Sequence, residues 1–377
     1  MTDRSGLALV WRLGAATTLI VTAFAMAGPV LAVLLQRAGH GTAFVGAFAM
    51  LQFLMVGLLI PVMPRVLKRW GAVRTYRAGA CLQLAGVLGY ALADNVVVWA
   101  PSSIVAGCGA AALWNTTEAL LAEEAPPDMR GRVMGLYQTA LGAALAVGPF
   151  LPGVFQLEAH TALWVAVAMV AGCLLLAITA RPHVSRSETR ELTGTWEALR
   201  SVPWLAWLAF CGGVFEAGLG AVETAHASAS GLSLRVAASV AGAIGVGSFL
   251  LQYPAGWAAD RFSLRSVFTG AAAALIVASV AIGWSVQAPW LMWACGLVWG
   301  GVGGALYTLS MVQVAHAFAG RATAGGTAAM ITGYTWGGTL GPLASGSVLQ
   351  AGGAPGLALA LSLLAVAALV AARRAVA

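Results

Sequence analysis

Residues 181–203 read RPHVSRSETRELTGTWEALRSVP and form the longest polar stretch of the chain. Apolar runs lie on both sides of it, and most are about 20 residues long, the length that crosses a bilayer. Six such runs precede the polar stretch and six follow it. The sequence therefore predicts an all-α membrane protein with two six-helix bundles, residues 1–180 and 204–377, joined by a linker at 181–203.

The twelve predicted spans are separated by short connections that leave no room for a soluble catalytic domain. They are 12–36, 42–63, 75–94, 97–121, 133–156, 160–180, 204–227, 236–258, 266–286, 289–317, 324–348 and 354–372.

Basic residues fix the expected orientation. With the N-terminus inside, every one of the 20 Lys and Arg residues except Arg37 and Arg235 falls at or near a cytoplasmic end. This asymmetry follows the positive-inside rule, and removing or adding one span would scatter the charges. We expect a multi-pass protein of the cell (inner) membrane with both termini and the 181–203 linker in the cytoplasm.

Composition excludes several classes of protein. The chain has 377 residues, of which 60% are hydrophobic and 9% charged, and its mean hydropathy is +0.86. A soluble domain needs more charge on its surface. The net charge of +7 is dispersed over cytoplasmic loops, where anionic headgroups attract it, so we expect no nucleic-acid partner. The five cysteines lack metal-ligand spacing, and the glycine-rich stretches lack a phosphate-loop Lys. We expect no metal, no cofactor and no enzymatic activity.

The two halves of the chain repeat at a nearly constant offset. The repeated elements are Pro61 with Pro254, Gly148-Pro149 with Gly341-Pro342, Gly153 with Gly346, and Arg69 with Arg261. Several matches at one offset indicate an internal duplication, which is typical of carriers built from two parallel halves. We expect Pro149 and Pro342, each beside a glycine, to mark helix bends or close helix contacts between the halves.

The loop after the second span of each half resembles that of the major facilitator superfamily, which typically reads Gly-x-Leu-Ala-Asp-Arg-x-Gly-Arg-Arg. In the first half Arg69 and Gly71 match, whereas Lys68 stands in place of the acid and Pro64 in place of the leading glycine. The second half keeps more of the motif, in Gly256-Trp257-Ala258-Ala259-Asp260-Arg261-Phe262-Ser263-Leu264-Arg265. The resemblance covers the whole chain and implies twelve helices that work by alternating access.

The fifth span resembles the superfamily's antiporter motif, Gly-x8-Gly-x3-Gly-Pro-x2-Gly-Gly, with two glycines replaced. The corresponding residues are Gly135, Ala144, Gly148, Pro149, Pro152 and Gly153. The run Trp114…Glu118…Arg130-Gly131-Arg132 also resembles small exporters of this superfamily. The resemblance therefore favours efflux.

The same resemblance implies an unequal cytoplasmic gate. Asp260, next to Arg261, should approach the start of the fifth helix near Arg130 and Arg132, where the helix dipole and the arginines attract an acid. Lys68, beside Arg69, would instead be repelled by the start of the eleventh helix. We expect one strong latch, and therefore a relatively favoured inward-facing state.

Three acids lie inside the predicted spans: Glu118, Glu216 and Glu223. No Lys or Arg lies deep enough in a span to pair with them. An intramembrane carboxylate costs about 2.5–3.5 kcal/mol on insertion scales unless it is protonated or hydrated. The alternative is an acid that snorkels or bonds to a loop at a span end. Glu216 is the strongest candidate for proton coupling because it lies in the middle of its span.

The superfamily places its first, fourth, seventh and tenth spans around a central cavity, where Glu118, Glu216 and Glu223 would lie. The side chains expected near them are Asn115, Trp299, Tyr307, Gln138 and Tyr334. For each aromatic, simple packing or interfacial anchoring is the alternative.

These features favour a monomeric secondary transporter whose partners are a small-molecule substrate, protons and the lipid bilayer. A cavity with acids and aromatics but no bases favours export of amphipathic cationic or neutral molecules. The alternatives are a proton-coupled nutrient uptake symporter, a flippase for a lipid or lipid precursor, and a membrane sensor that transports nothing.

Overall fold

A computed structural model describes residues 3–124, 130–179, 199–317 and 323–375, which are almost entirely helical. We number the helices in chain order: α1 Asp3–Arg37, α2 Thr42–Leu59, α3 Met63–Trp70, α4 Ala72–Leu92, α5 Val96–Glu124, α6 Arg130–Val147, α7 Leu151–Val154, α8 Ala159–Thr179, α9 Pro203–Ala217, α10 Gly220–Ala229, α11 Leu234–Arg261, α12 Leu264–Ala281, α13 Leu291–Ala317 and α14 Thr323–Ala375.

Nine apolar helical segments within the described ranges are long enough to cross a membrane. One of them, in α14, covers two predicted spans, 324–348 and 354–372. The backbone leaves helical geometry at Gly353 (φ 60°, ψ −162°), between these two spans. The other two predicted spans, 75–94 and 133–156, correspond to α4 and to α6–α7. The first turns of α4 carry Arg74 and Arg77. All twelve predicted spans are therefore helical, as lipid requires of a backbone that has no sheet partner.

Three local features differ from simple spans. Met63–Trp70, predicted as a loop, forms the short helix α3, which starts at a proline-containing first turn and carries Lys68 and Arg69 in its last turn. The fifth span changes to a 3₁₀ turn at Gly148–Phe150, where Pro149 supplies no backbone N–H. The seventh span breaks between α9 and α10, at Gly218 and Leu219.

The described chain divides into two compact units. Unit 1 contains residues 1–27, 51–152 and 157–191, and unit 2 contains residues 28–50, 153–156 and 192–377. The division passes through α1 and α2, so the end of α1 and the start of α2 belong to the second unit. The predicted division into bundles 1–180 and 204–377, with a linker at 181–203, stays a prediction.

Unit 1 is held together by close helix packing and buried hydrogen bonds. A Cβ on Gly109 of α5 would lie 2.6 Å from the backbone nitrogen of Gln83 in α4, so only glycine allows this approach. Thr17 Oγ1 of α1 lies 3.0 Å from Tyr76 Oη and 2.8 Å from Thr117 Oγ1. These bonds satisfy hydroxyl groups away from water and join α1, α4 and α5.

In unit 2, two glycines allow the backbones of α11 and α13 to approach closely. A Cβ on Gly247 would lie 2.8 Å from the carbonyl carbon of Leu297, and one on Gly300 would lie 2.6 Å from that of Ile244. The glycine-rich segment around Gly300 is thus a helix-packing surface.

The ends of α1 and α2 contact α10 and α14 within unit 2. Thr42 Oγ1 donates to Gly346 O at 2.9 Å, and Ala43 N donates to Gln350 Oε1 at 3.0 Å. Ser228 Oγ donates to Gln36 Oε1 at 2.8 Å. These polar contacts lie on the side that the positive-inside rule predicts to be extracellular.

We predict that Gly300→Ala destabilises the protein, because the added methyl group forces the backbones of α11 and α13 apart. Overpacking of this kind costs about 1–3 kcal/mol. Thermal unfolding of the purified protein in detergent measures the loss. Gly256→Ala in α11 is the control, since a Cβ there meets nothing within 4 Å. Equal unfolding temperatures for the two variants would contradict the prediction.

Candidate functional site

Glu216 lies near the end of α9, where residues from three other helices of unit 2 surround its carboxylate. Ser248 of α11 donates a hydrogen bond to Oε1, and Tyr334 of α14 also hydrogen-bonds the carboxylate. Gly304 of α13 lies against its flat face, because a Cβ on Gly304 would be 3.1 Å from Oε1. The side chain is part-buried. This arrangement places a single acid among neutral hydroxyl donors.

Glycines on α9 and α13 create the space for this carboxylate. A Cβ on Gly212 would lie 2.7 Å from Gly303 O, and one on Gly303 would lie 3.0 Å from Glu216 N. The two backbones can therefore approach closely only because these side chains are missing. Gly212 and Glu216 are one turn apart on α9, and the face that they share contacts α13.

Two aromatic rings lie beside the carboxylate. The rings of Tyr307 and Tyr334 have centroids 4.7 Å apart and an interplanar angle of 48°. Both residues are partly exposed. The pair therefore presents a polarisable surface next to the acid, a combination suited to cations and to flat apolar groups.

The surroundings of Glu216 suit reversible protonation. No basic residue pairs with it in the described part of the chain, so its ionised form is supported only by hydroxyl donors. Ionised carboxylates accept hydrogen bonds, whereas the protonated form also donates one. Hydroxyl groups serve both forms, because each can donate or accept. Ser248 was not singled out from the sequence, since a lone serine in an apolar span carries no distinctive pattern.

Glu223 lies in a different environment from Glu216. Its side chain in α10 is fully buried, and Oε2 lies 3.5 Å from Nδ1 of His226, one turn further along. Cys295 of α13 lies near enough to interact electrostatically with it. Sequence reasoning searched for Lys and Arg as partners and missed His226, although its i, i+3 spacing could have revealed it.

Two other predicted cavity residues are engaged elsewhere. Trp299 is fully buried, and its Nε1 lies 3.4 Å from Ser279 Oγ in α12, so its ring packs inside unit 2. Asn115 is half-buried in unit 1 and donates from Nδ2 to Ala111 O of its own helix at 2.8 Å. Within unit 2, the Trp299 ring is thus engaged with Ser279 of α12, whereas Asn115 belongs to unit 1.

Several predicted residues have side chains outside the described part of the structure. They are Glu118, Gln138, Arg130, Arg132 and Asp260. Their expected roles in the cavity and the gate therefore stay predictions.

The remaining gate residues are all exposed. Lys68 and Arg69 lie on α3, and Arg261 ends α11 with its guanidinium carbon 4.6 Å from the centroid of the Trp257 ring. Exposed arginines on tryptophan faces are typical of a membrane interface.

The predicted helix-bend residues are sites of close packing. A Cβ on Gly148 would lie 2.8 Å from Thr22 O in α1, and one on Gly341 would lie 3.2 Å from the Cα of Val214 in α9. Gly46 of α2 packs against the carbonyl group of Pro342, a contact within unit 2 between residues from the two sequence halves. Pro342 lies inside α14, whereas Pro149 lies in the 3₁₀ turn.

The family profile of the Major Facilitator Superfamily matches residues 13–250 and 216–376. This match spans nearly the whole chain, in two parts that overlap over residues 216–250. The chain belongs to the major facilitator superfamily and is a transporter of that family. The expected family and the all-α fold of twelve transmembrane helices are confirmed.

Curated relatives carry the same description. The chain is 23% identical over 339 residues to the uncharacterized MFS-type transporter YfkF of Bacillus subtilis (strain 168), covering 85% of this chain and 84% of the relative. It is 26% identical over 293 residues to the uncharacterized MFS-type transporter YcaD of Shigella flexneri, covering 76% and 74%.

Solved structures show the same fold. The nucleoside transporter NupG superposes with a TM-score of 0.77 at 14% identity, covering 97% of this chain and 98% of the other. The D-xylose-proton symporter superposes with a TM-score of 0.76 at 14% identity, covering 98% and 96%. At these identities the likeness concerns the fold alone.

We predict that His226→Leu destabilises the protein, because it leaves the Glu223 carboxylate buried without its partner. Breaking a buried pair in this way costs about 3–5 kcal/mol. The double variant Glu223→Gln with His226→Gln has no charge to compensate and should recover most of the loss. Thermal unfolding of both variants in one detergent distinguishes them, and equal destabilisation would refute the pairing.

Proposed function

We propose that this chain is a proton-coupled secondary transporter that exports small amphipathic molecules, cationic or neutral, by alternating access. The observation that carries the proposal is the part-buried Glu216, which has hydroxyl partners and no basic partner among the described residues. An acid in this position can exchange a proton for a cationic substrate without leaving a buried charge uncompensated.

The coupling step follows from competition for one carboxylate. With Glu216 ionised, the site holds a negative charge that attracts an organic cation. When a proton binds instead, Tyr334 and Ser248 can accept from or donate to the neutral acid, and the cation loses its counter-charge. One carboxylate thereby makes occupation by proton and by substrate mutually exclusive, which is what exchange requires.

The aromatic pair supports the amphipathic part of the proposal. Tyr307 and Tyr334 present ring surface beside Glu216, and a cation over a ring gains about 0.5–2 kcal/mol. A neutral amphipathic molecule would use the same rings through apolar contact. Glycine-lined packing of α9 on α13 keeps the acid and the rings together.

The direction of transport rests on the fifth-span motif. The resemblance of Gly148 and Pro149 to the antiporter motif supports export, and the helix changes to a 3₁₀ turn at these residues. The second candidate function is nutrient uptake, which is favoured by the fold likeness to the D-xylose-proton symporter. The flippase alternative would require a lateral opening lined by apolar residues. The sensor alternative would require a protein that binds a ligand without moving it.

The unequal gate belongs to the same proposal. Asp260 would latch onto the start of α6, near Arg130 and Arg132, on the predicted cytoplasmic side. Lys68 gives the other half no equivalent latch. Release of one latch would then open the inward-facing state.

We expect Glu216→Gln to abolish transport driven by a pH gradient while the protein still folds and retains some substrate binding, through the aromatic rings rather than through the lost counter-charge. A thermal-shift panel of organic cations, neutral amphiphiles, sugars and nucleosides supplies the probe, and the compound with the largest shift is followed in proteoliposomes. Asp94→Asn, which changes an exposed acid paired with His160 at 2.9 Å, is the control. Unchanged gradient dependence in Glu216→Gln would refute the coupling role, and a sugar or nucleoside as the best probe would favour uptake.

A second variant tests the aromatic contribution. Tyr307→Leu should weaken binding of an organic cation by about three- to tenfold, because ring contacts with cations contribute about 0.5–1.5 kcal/mol. Tyr307→Phe keeps the ring and should bind within twofold of the parent protein, about 0.4 kcal/mol. Isothermal titration with tetraphenylphosphonium measures both. If Leu and Phe behave alike, the ring makes no cation contact.

A further inference from the structure

An open, positively charged cavity lies in unit 2, and the transport proposal uses none of its lining residues. It is lined by Arg265, Ser266 and Thr269 from the first two turns of α12 and by Arg373 from the end of α14. Its volume is about 420 Å³, which exceeds that of a phosphate group and leaves room for part of a headgroup. Two arginines and two hydroxyl groups therefore converge from two helices on one open cavity.

The two arginines have no acidic partner in the described ranges. The ion pairs found there join Asp94 with His160 and Glu223 with His226, and neither involves this cavity. The cavity thus concentrates positive charge that no described carboxylate offsets. An arginine fork fits the oxygens of a phosphate and can bind them in pairs.

The start of α12 adds to this attraction. Ser263 caps the helix by accepting a hydrogen bond from Ser266 N, and its hydroxyl group lies 2.8 Å from that of Ser266. The N-terminus of a helix carries a partial positive charge, which reinforces that of Arg265. Hydroxyl groups of Ser266 and Thr269 can donate further bonds to phosphate oxygens.

The position of the cavity indicates the source of the phosphate. Arg373 and Arg265 lie at span ends that the positive-inside rule predicts to be cytoplasmic. The next residue, Arg374, places its guanidinium carbon 4.8 Å from the centroid of the Trp204 ring. Tryptophans are enriched at the level of the lipid headgroups. A cavity beside this pair lies at the depth where headgroup phosphates are held.

We propose that this cavity binds the phosphate of an anionic phospholipid from the inner leaflet. The shared chemistry is a phosphate group held by Arg265 and Arg373 and oriented by Ser266 and Thr269. Basic pockets between helices on the cytoplasmic side bind such headgroups by the same electrostatics. The site is independent of Glu216, so it holds whether the substrate is exported or taken up.

The test counts bound lipid on the purified protein in a neutral detergent by native mass spectrometry. Dioleoyl phosphatidylglycerol is titrated against the parent protein and against Arg265→Gln with Arg373→Gln, with dioleoyl phosphatidylcholine as the neutral lipid. The parent protein should retain one phosphatidylglycerol about thirtyfold more tightly than the double variant, as expected for the loss of two basic contacts. Arg74→Gln, an exposed arginine near the predicted cytoplasmic start of α4, should leave that affinity unchanged.

Three outcomes overturn the proposal. One is equal phosphatidylglycerol retention by the parent protein and the double variant. Another is an equal loss in Arg74→Gln, which would indicate general surface charge. The third is displacement of the lipid by inorganic phosphate at a similar concentration, which would assign the cavity to a free anion. If the double variant does not fold, Arg265→Lys and Arg373→Lys separately keep the charge, and each should weaken retention by removing the paired hydrogen bonds.

Discussion

The approach of α9 to α13 at Gly212 and Gly303 is the constraint on which the candidate site depends. Side chains at these positions would collide with the opposing helix, and the Glu216 carboxylate lies in the space left by the neighbouring Gly304. Lipid gives two apolar helices no hydrophobic reason to associate, so the close contact itself must supply the attraction. The glycines thus allow the close packing of α9 on α13 and also leave room for the Glu216 carboxylate. No basic residue among those the structure describes pairs with this carboxylate.

The seventh span shows how environment assigns different roles to two similar acids. Glu216 is part-buried among hydroxyl groups, whereas Glu223 is fully buried with His226 at 3.5 Å. A partly exposed acid with neutral partners can gain and lose a proton as its surroundings change. A sealed acid with a histidine partner forms a local pair whose separation is costly. On the proposed function, the contrast favours Glu216 over Glu223 as the coupling group, and the role of Glu223 stays a prediction.

The helical architecture could be predicted from the sequence because the bilayer sets the length and the apolar composition of each span. Span lengths, arginine placement and the internal repeat all report constraints that act locally, and the helices follow them. The site was predicted only in part. The structure brings Tyr334 to Glu216, and the roles of both residues stay predictions. The sequence does not single out Ser248, because a lone serine in an apolar span carries no pattern, or His226, because only Lys and Arg were considered as partners of Glu223. The prediction for Trp299 used only the span in which this residue lies, and a span does not say which way each of its side chains faces. In the structure the Trp299 ring faces Ser279.

The break between α9 and α10 connects these observations. Gly218 lies where a Cβ would be 3.1 Å from the Cα of Gly341 and 3.3 Å from the Cδ of Pro342. The interruption of one span is thus packed directly against the Gly-Pro pair of another, both within unit 2. Glu216 lies just before this joint, and Ser228, which bonds Gln36, lies beyond it. On the proposed function, the charge changes at Glu216, next to the interruption between α9 and α10. The helix beyond the interruption, α10, makes the polar contact with Gln36 at the predicted extracellular end, so the change of charge would act close to the segment that holds this contact. A straight helix would transmit such a change as a rigid body, whereas a broken one lets the two segments respond separately.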